Sequence, residues 1–526
     1  MKKTLVLLLA ALMLMCSVGV SSAETYEPHI KYNGSGWMLN TGANYDDAYY
    51  AYFTEKFNMD FVPYFTDRAT NDEKVNLLVN TSSMPDGLIG LEFNYDAYLE
   101  WVDQGLIAPL PDGWEVKYPD LYRMIENTGT LGKITVDGQV YVIPHAIWHN
   151  FVNMEVPVGH TTIYYRKDWA EKLGMSHIFE GDVVKITDLL EFAKKAVEAN
   201  LGDNGTTVGL TGRNAKNLVE AFTDQLPYDF SKFVKTEEGY KWAPTLDGMV
   251  DTIKSMREYY QAGAIDPDFY LGNGLTTFTS GGAAALYAEG SASSTVFLSD
   301  FVNAHSNLVD ELAALKAEDP SKMYFDTSVC DYVGFAVIAD ADGVVHSRET
   351  TNYWSFTIFN PDIDEQVFDR ILSLINWACT PDGEMTTKIG IPGVDWSWSE
   401  DGKTIVQHPN ANGTYNTYDS RNMLTQYALC SDEMALVKKD NAPQLIEFVK
   451  KMYEIKSAGV ITPYDYDYKF FTSQAKSEYS VDIAGQIIAL VVDDSLDIDT
   501  EWAAFIAENA GMVDPLIKDL NAAFCK

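Results

Sequence analysis

Apolar positions along the chain switch repeatedly between two periods. His29 to Tyr32 reads as a strand, and from Asp46 to Phe57 the residues Tyr49, Phe53 and Phe57 recur on one helical stripe. Met59 to Tyr64 is extended again. Thr70 and Glu73 spell a capping box ahead of a helix whose stripe is Val75, Leu78 and Val79. After "NTSSMPD", Gly87 to Leu91 is a short apolar strand. Strand and helix alternating at short spacing predict an open, mostly parallel sheet. Helical stripes return at Met249, Ile253, Met256 and Tyr260, at Phe368, Ile371, Leu372 and Ile375, and at Leu445, Phe448, Val449 and Met452. No repeat of fixed period and no low-complexity linker separates these segments, which predicts interwoven lobes rather than beads on a string.

One stretch stands apart. "GIPGVDWSW" (Gly390 to Trp398) sets two indoles two positions apart beside a carboxylate. In an extended chain Trp396 and Trp398 share a face, with Asp395 and Ser397 on the other. Such a pair is either a core anchor or a stacking platform for a ligand.

The first 23 residues carry Lys2 and Lys3, an apolar run from Leu5 to Met15 and the small residues Ser21 to Ala23. This is the pattern of a secretory signal peptide cleaved before Glu24, and its apolar run is shorter than the ~20 residues of a membrane span. Cys16 offers lipid anchoring as an alternative to soluble export. Net charge is −38, and removing Lys2 and Lys3 makes the mature chain more acidic still. Such a surface repels nucleic acid and anionic lipid, so neither is expected as a partner. Four mature cysteines, Cys330, Cys379, Cys430 and Cys525, are scattered without a CxxC pair and read as buried free thiols, with one of three disulfide pairings as the alternative, rather than zinc ligands.

Catalytic signatures are missing. The chain holds no GxSxG, no HExxH and no GxxxxGK[ST]. "PHAIWHN" places His145 and His149 four apart, but no carboxylate pattern completes a metal site. "LDIDTEW" (Leu496 to Trp502) lacks the turn glycine of a calcium loop and reads as acids leading into a helix N-terminus. No enzyme activity, cofactor or metal is expected.

"TTIYYRKDWAEKLGM" (Thr161 to Met175) resembles a signature stretch of extracellular solute-binding proteins of family 1, the capture subunits of ABC importers. "NTSSMPDGLIG", "MREYYQAGAIDPDFY", "FDRILSLINWACTPDGEMTTKIGIPGVDW" and "EWAAFIAENAGMVDPLIKDLNAAF" resemble further segments of that family in the same order. The resemblance spans nearly the whole mature chain. It implies an α/β fold, a two-lobed periplasmic-binding-protein-like clamp with interwoven lobes of type II topology. Lobe crossings are expected after Pro144 and before Tyr164, ahead of Asp331 to Asp340, and near "GVDWSW". That division makes 24–146 and 330–395 the first lobe, and 147–329 and 396–526 the second.

The implied ligand is a carbohydrate, an oligosaccharide above all, held between the lobes by a monomer and delivered to ABC permease subunits. The same clamp holding a peptide or small organic ion, or a secreted glycoside-acting enzyme, are the alternatives. Candidate ligand contacts at predicted strand ends are Trp37, Tyr95, His145, Trp148 and Arg213. Asp395, Trp396 and Trp398 join them, because the third predicted crossing turns their loop into a cleft edge. Trp354 in "TNYWSF" has only its residue type to recommend it, and Arg166 with Asp168 reads as a local ion pair. Two departures concern the ligand. Gly290 is followed by Ser291-Ala292-Ser293 where maltodextrin-binding relatives carry an aromatic, and "NLGDNGTTVG" keeps only Asp203 and Asn204 of a calcium-loop pattern.

Overall fold

The computed structural model describes residues 26–525 apart from 37–38, 40–41, 67–69, 92–93, 149–155, 160, 203–204, 213–214, 272–291, 298–316, 318–319, 321–332, 401, 403–404, 414, 425–426, 428–429 and 432–442. The signal segment, Cys330 and the Asp203–Asn204 and Ser291 positions therefore lie outside the described residues.

Two sheets organise the chain. Strands β1 (Ile30–Gly36), β2 (Met59–Phe65), β3 (Gly87–Leu91) and β4 (Ile143–Trp148) belong to the first. Strands β5 (Thr162–Arg166), β6 (Val183–Lys185), β7 (Val208–Gly212), β8 (Ala292–Phe297) and β9 (Val333–Ala339) form the second, in the order β6-β9-β5-β8-β7. A short β10 (His346–Arg348) follows, and β11 (Tyr353–Phe359) returns to the first sheet. After β12 (Trp396–Trp398) and β13 (Ile405–Gln407), which pair as a hairpin, β14 (Cys430–Ser431) completes the first sheet as β14-β4-β11-β3-β1-β2. β15 (Val460–Thr462) pairs in parallel with β10.

The first sheet is mostly parallel, as the alternation predicts, with one reversed strand. β1 runs parallel to β2 and β3, but β11 is antiparallel to both β3 and β4. Local alternation fixes that a strand forms, not the direction in which its partner runs.

Helices cover these sheets with the stripes read from the sequence, while the side chains of Leu445, Phe448 and Val449 lie outside the described residues. α1 (Ala48–Phe57) buries Tyr49, Phe53 and Phe57, and Asp47 caps it by accepting from the amides of Tyr49 and Tyr50. Burying each ring stabilises the lobe by roughly 1.5–3 kcal/mol. α2 (Asn71–Asn80) buries Val75, Leu78 and Val79, yet Thr70 makes no side-chain cap bond. Its φ of −119° and ψ of 12° turn the hydroxyl away from the extended geometry a capping box requires. α3 (Tyr95–Asp103) follows β3. In the second lobe, α4 (Ala215–Thr223) follows β7. α5 (Glu365–Ala378) and α6 (Pro381–Lys388) return to the first lobe's sequence region. α7 (Pro443–Ala458) packs on β9, and the chain closes with α8 (Tyr466–Lys469), α9 (Gln474–Glu478), α10 (Ile483–Val492) and α11 (Ile498–Phe524). Asp497 accepts from the amide of Thr500 at the start of α11, so "LDIDTEW" serves as a helix cap. Cys379 is a buried thiol, whereas Cys525 is exposed, so burial does not extend to both.

The sheet memberships move two of the expected crossings. Val333–Ala339 pairs with β5 and β6 of the second lobe, so the chain returns to the first lobe after residue 339, not before 331. The segment from Trp396 to Ser431 stays with the first lobe. Ile391 and Tyr418 pack on its core, and β14 extends its sheet. The third passage therefore follows Ser431. The first passage lies between Trp148 and Thr162. Each lobe has its own core, one centred on Tyr32, Phe53, Leu88 and Ile371, the other on Trp169, Leu210, Trp242 and Leu516.

Candidate ligand cleft

The first two passages meet the segment 460–464, which follows α7. Val158 bridges Glu349, the amide of Gly159 donates to Arg348 (3.0 Å) and that of Thr350 to Pro157 (2.9 Å). The amide of Glu349 donates to Thr462 (2.9 Å), and its carboxylate accepts from the amide of Tyr464 (3.0 Å). Lys456 Nζ donates to the Gly159 carbonyl (2.7 Å). Three extended segments bonded edge to edge make a hinge that can bend without breaking its ladder.

Strand direction then fixes what faces what. β4 ends at the first passage and β11 begins after the second, with Tyr353 opposite Ala146. β1, β2 and β3 run parallel to β4, so their carboxyl ends lie on the same side. In the second sheet Phe297 lies opposite Thr162 and Ala336 opposite Ile163, which places the carboxyl ends of β8 and β9 beside the start of β5. β6 and β7 run parallel to them. Both sheets thus present strand carboxyl ends to the hinge, the arrangement that forms a ligand crevice in open α/β folds.

The candidate contacts distribute unevenly over this frame. Trp37 and Arg213 lie outside the described residues. Trp148 closes β4 at the first passage. His145 is buried in the same strand, and its ring lies 4.9 Å from that of Trp354 at 58°. Tyr95 opens α3 just beyond β3, half-buried, and donates from its hydroxyl to Lys133 (3.1 Å).

Asp395 and Trp396 depart from the expectation. The Asp395 carboxylate is buried and accepts from the Ile391 amide (2.6 Å), Asn416 Nδ2 (2.7 Å) and the Tyr418 hydroxyl (3.2 Å). Gly390, at φ 144°, leaves room for it, since a Cβ there would lie 2.4 Å from Asp395 Oδ2. Trp396 is only 2% exposed, packs with Met385, Ile389 and Ile405, and donates from Nε1 to the Gly390 carbonyl (2.9 Å). Acceptors and indole are used up inside the loop, so these two residues anchor the hairpin to the first lobe. Trp398 is 36% exposed, sits edge-on to Trp396 at 5.7 Å and donates to Asp382 (2.7 Å). Arg166 forks onto Asp168 through Nε (2.8 Å) and Nη2 (2.7 Å), as the sequence predicts.

A cavity of about 930 Å³ lies beside the hinge. Its walls include Tyr95 from the first lobe, Tyr228 and Lys232 from the second, Arg348 and Tyr464 from the hinge, and Lys476. On the second lobe the wall includes 227–235, beyond the C-terminal end of α4. Arg348 holds Asp224 (2.7 Å) and Asp229 (3.2 Å). Burial lowers the Lys476 ammonium to about 8, against the opposing pull of Asp96, and the group donates to the carbonyls of Tyr468 (2.8 Å) and Phe471 (2.6 Å).

Sequence reasoning missed the segment behind these contacts. In "PYDYDYKFF", Tyr466 and Phe470 pack on the first lobe's core while Tyr468 and Phe471 pack on the second's. Asp467 reaches Lys235 (3.5 Å) and Lys133 (3.9 Å). The interleaving of aromatics with acids was the available signal, a short segment with two apolar destinations.

In sequence comparisons, no family profile and no curated protein matches the chain. Solved structures do. The chain is similar to the alginate-binding protein AlgQ2 in a crystal structure without calcium ion, at 13% identity and TM-score 0.65, covering 94% of this chain and 98% of that one. It is similar to the Streptococcus pneumoniae ABC-transporter substrate-binding protein FusA in complex with kestose, at 14% identity and TM-score 0.64, covering 94% and 100%. A solute-binding protein from Bifidobacterium longum infantis, described as HMO-binding and ABC-transporter-associated, aligns at 13% identity and TM-score 0.61 over 94% and 98%. The chain has the two-lobed α/β clamp fold of solute-binding proteins.

Proposed function

We propose that this protein is an exported capture protein that binds a carbohydrate between its lobes and delivers it to the permease of an ABC importer. One observation carries the reading: strand carboxyl ends of two lobes face each other across a three-segment hinge. Solved proteins with this fold bind alginate or kestose by their descriptions. A crevice at strand ends buries a ligand on two sides, and a bending hinge lets the lobes close on it. An oligosaccharide suits such a site because its rings offer apolar faces to aromatic side chains and hydroxyls to polar ones. The N-terminal 23 residues act in this account as the export signal, with anchoring through Cys16 as the alternative form of the mature protein.

Thermal shift across a panel of neutral and acidic oligosaccharides tests the reading, because a ligand that binds only the folded state raises the melting temperature. Dose-dependent stabilisation by at least one glycan, recovered chemically intact, supports capture. Released reducing ends from a clean preparation point to a glycoside-acting enzyme. Stabilisation by peptides or organic ions alone keeps the clamp and removes the sugar.

A further inference from the structure

We infer that Trp354 is a stacking platform for a sugar ring in the crevice, set in place by a β-bulge and supported by His145. The inference rests on the carbohydrate reading above and names a residue for it.

The backbone comes first. Between β11 and β4 the register runs Tyr353 to Ala146 and then Ser355 to His145, so two steps along β11 match one along β4. Trp354 is the extra residue. A bulge leaves its residue out of the ladder and re-aims its side chain, while the strand on either side keeps its pairing. Tyr353 and Phe356 would fall on opposite faces of a regular strand, yet both are buried in the first lobe's core with rings 5.0 Å apart, as the extra residue between them allows.

Position comes next. The bulge falls at the first step of β11, the end that adjoins the hinge and lies level with the carboxyl end of β4. That is the side on which the two sheets face each other.

Side-chain chemistry completes the argument. The indole is 37% exposed, unlike the fully buried Trp169, Trp242 and Trp396. The His145 ring, buried and 4.9 Å away at 58°, braces the indole. An aromatic held rigid by a neighbour and open on one side offers a large apolar face at little entropic cost, which suits the C–H face of a pyranose or furanose.

The test uses the full mature chain and a glycan that stabilises it, with affinity measured by calorimetry for wild type, Trp354→Ala and Trp354→Phe. The inference predicts that Trp354→Ala weakens binding on the order of ten-fold or more, that Trp354→Phe recovers part of the loss, and that both melt near the wild-type temperature without ligand. Wild-type affinity in Trp354→Ala overturns the assignment while leaving carbohydrate capture standing. A wild-type protein that binds no glycan overturns both. Should Trp354→Ala fail to fold, ¹⁹F spectra of 5-fluorotryptophan-labelled wild type decide, with the Trp354 resonance assigned by its loss in Trp354→Phe. That resonance shifts on adding glycan if the inference holds and stays in place if it does not.

Discussion

Phe470 meets Tyr95 edge to face, ring centroids 5.3 Å apart, at the first lobe's core. Phe470 follows α8, whose neighbours Tyr468 and Phe471 pack in the second lobe, yet its own ring is buried in the first lobe's core. The ring therefore ties the lobes together beside the hinge. Phe470→Ala is expected to cost about 3–5 kcal/mol in denaturant unfolding. Hydrogen exchange should accelerate in 464–479 while the β1 to β3 ladder stays protected. Phe470→Leu should recover much of the loss.

The two indoles of the hairpin should behave oppositely. Trp396→Ala removes a buried ring and the donor to Gly390, for an expected loss of about 3–5 kcal/mol. Trp398→Ala removes a part-exposed ring and one bond to Asp382, and should cost about 1 kcal/mol. Trp396→Ala should leave glycan affinity unchanged in the folded fraction. Paired melting and calorimetry separate the effects, and a large affinity loss in Trp396→Ala with unchanged melting would return that residue to the cleft.

Local features of this fold were legible because they depend on near neighbours. The stripe of Tyr49, Phe53 and Phe57 gave a helix, and Gly87 to Leu91 a strand, with bounds close to those observed. Long-range features were not. The apolar run at Val333–Ala339 says strand, but only its pairing with β5 and β6 assigns it to the second lobe. "GVDWSW" was misplaced for the same reason: once its segment joins the first lobe, Asp395 and Trp396 become loop anchors. The bulge that turns Trp354 outward is a property of two strands in register and leaves no mark in "TNYWSF".

Lys456 makes the hinge sensitive to alkaline pH. Its ammonium is buried, and burial lowers it to about 8, with Asp224 pulling the other way. A folded value below the unfolded one favours the folded state as pH rises. The contribution is complete above the unfolded value of 10.5 and is lost as pH falls through about 8. Relative to Lys456→Met, the wild type should therefore gain stability between pH 8 and 10.5. Urea titrations of both proteins across that window check the sign, and a difference that stays flat or shrinks with rising pH contradicts the burial argument.

Closure on a carbohydrate is the centre of the account, and small-angle X-ray scattering of the free and glycan-saturated protein measures it. Two lobes on a three-segment hinge predict a fall in radius of gyration that saturates with the calorimetric binding isotherm. Superimposable curves from free protein and protein shown by calorimetry to be saturated would contradict a clamp that closes on its ligand.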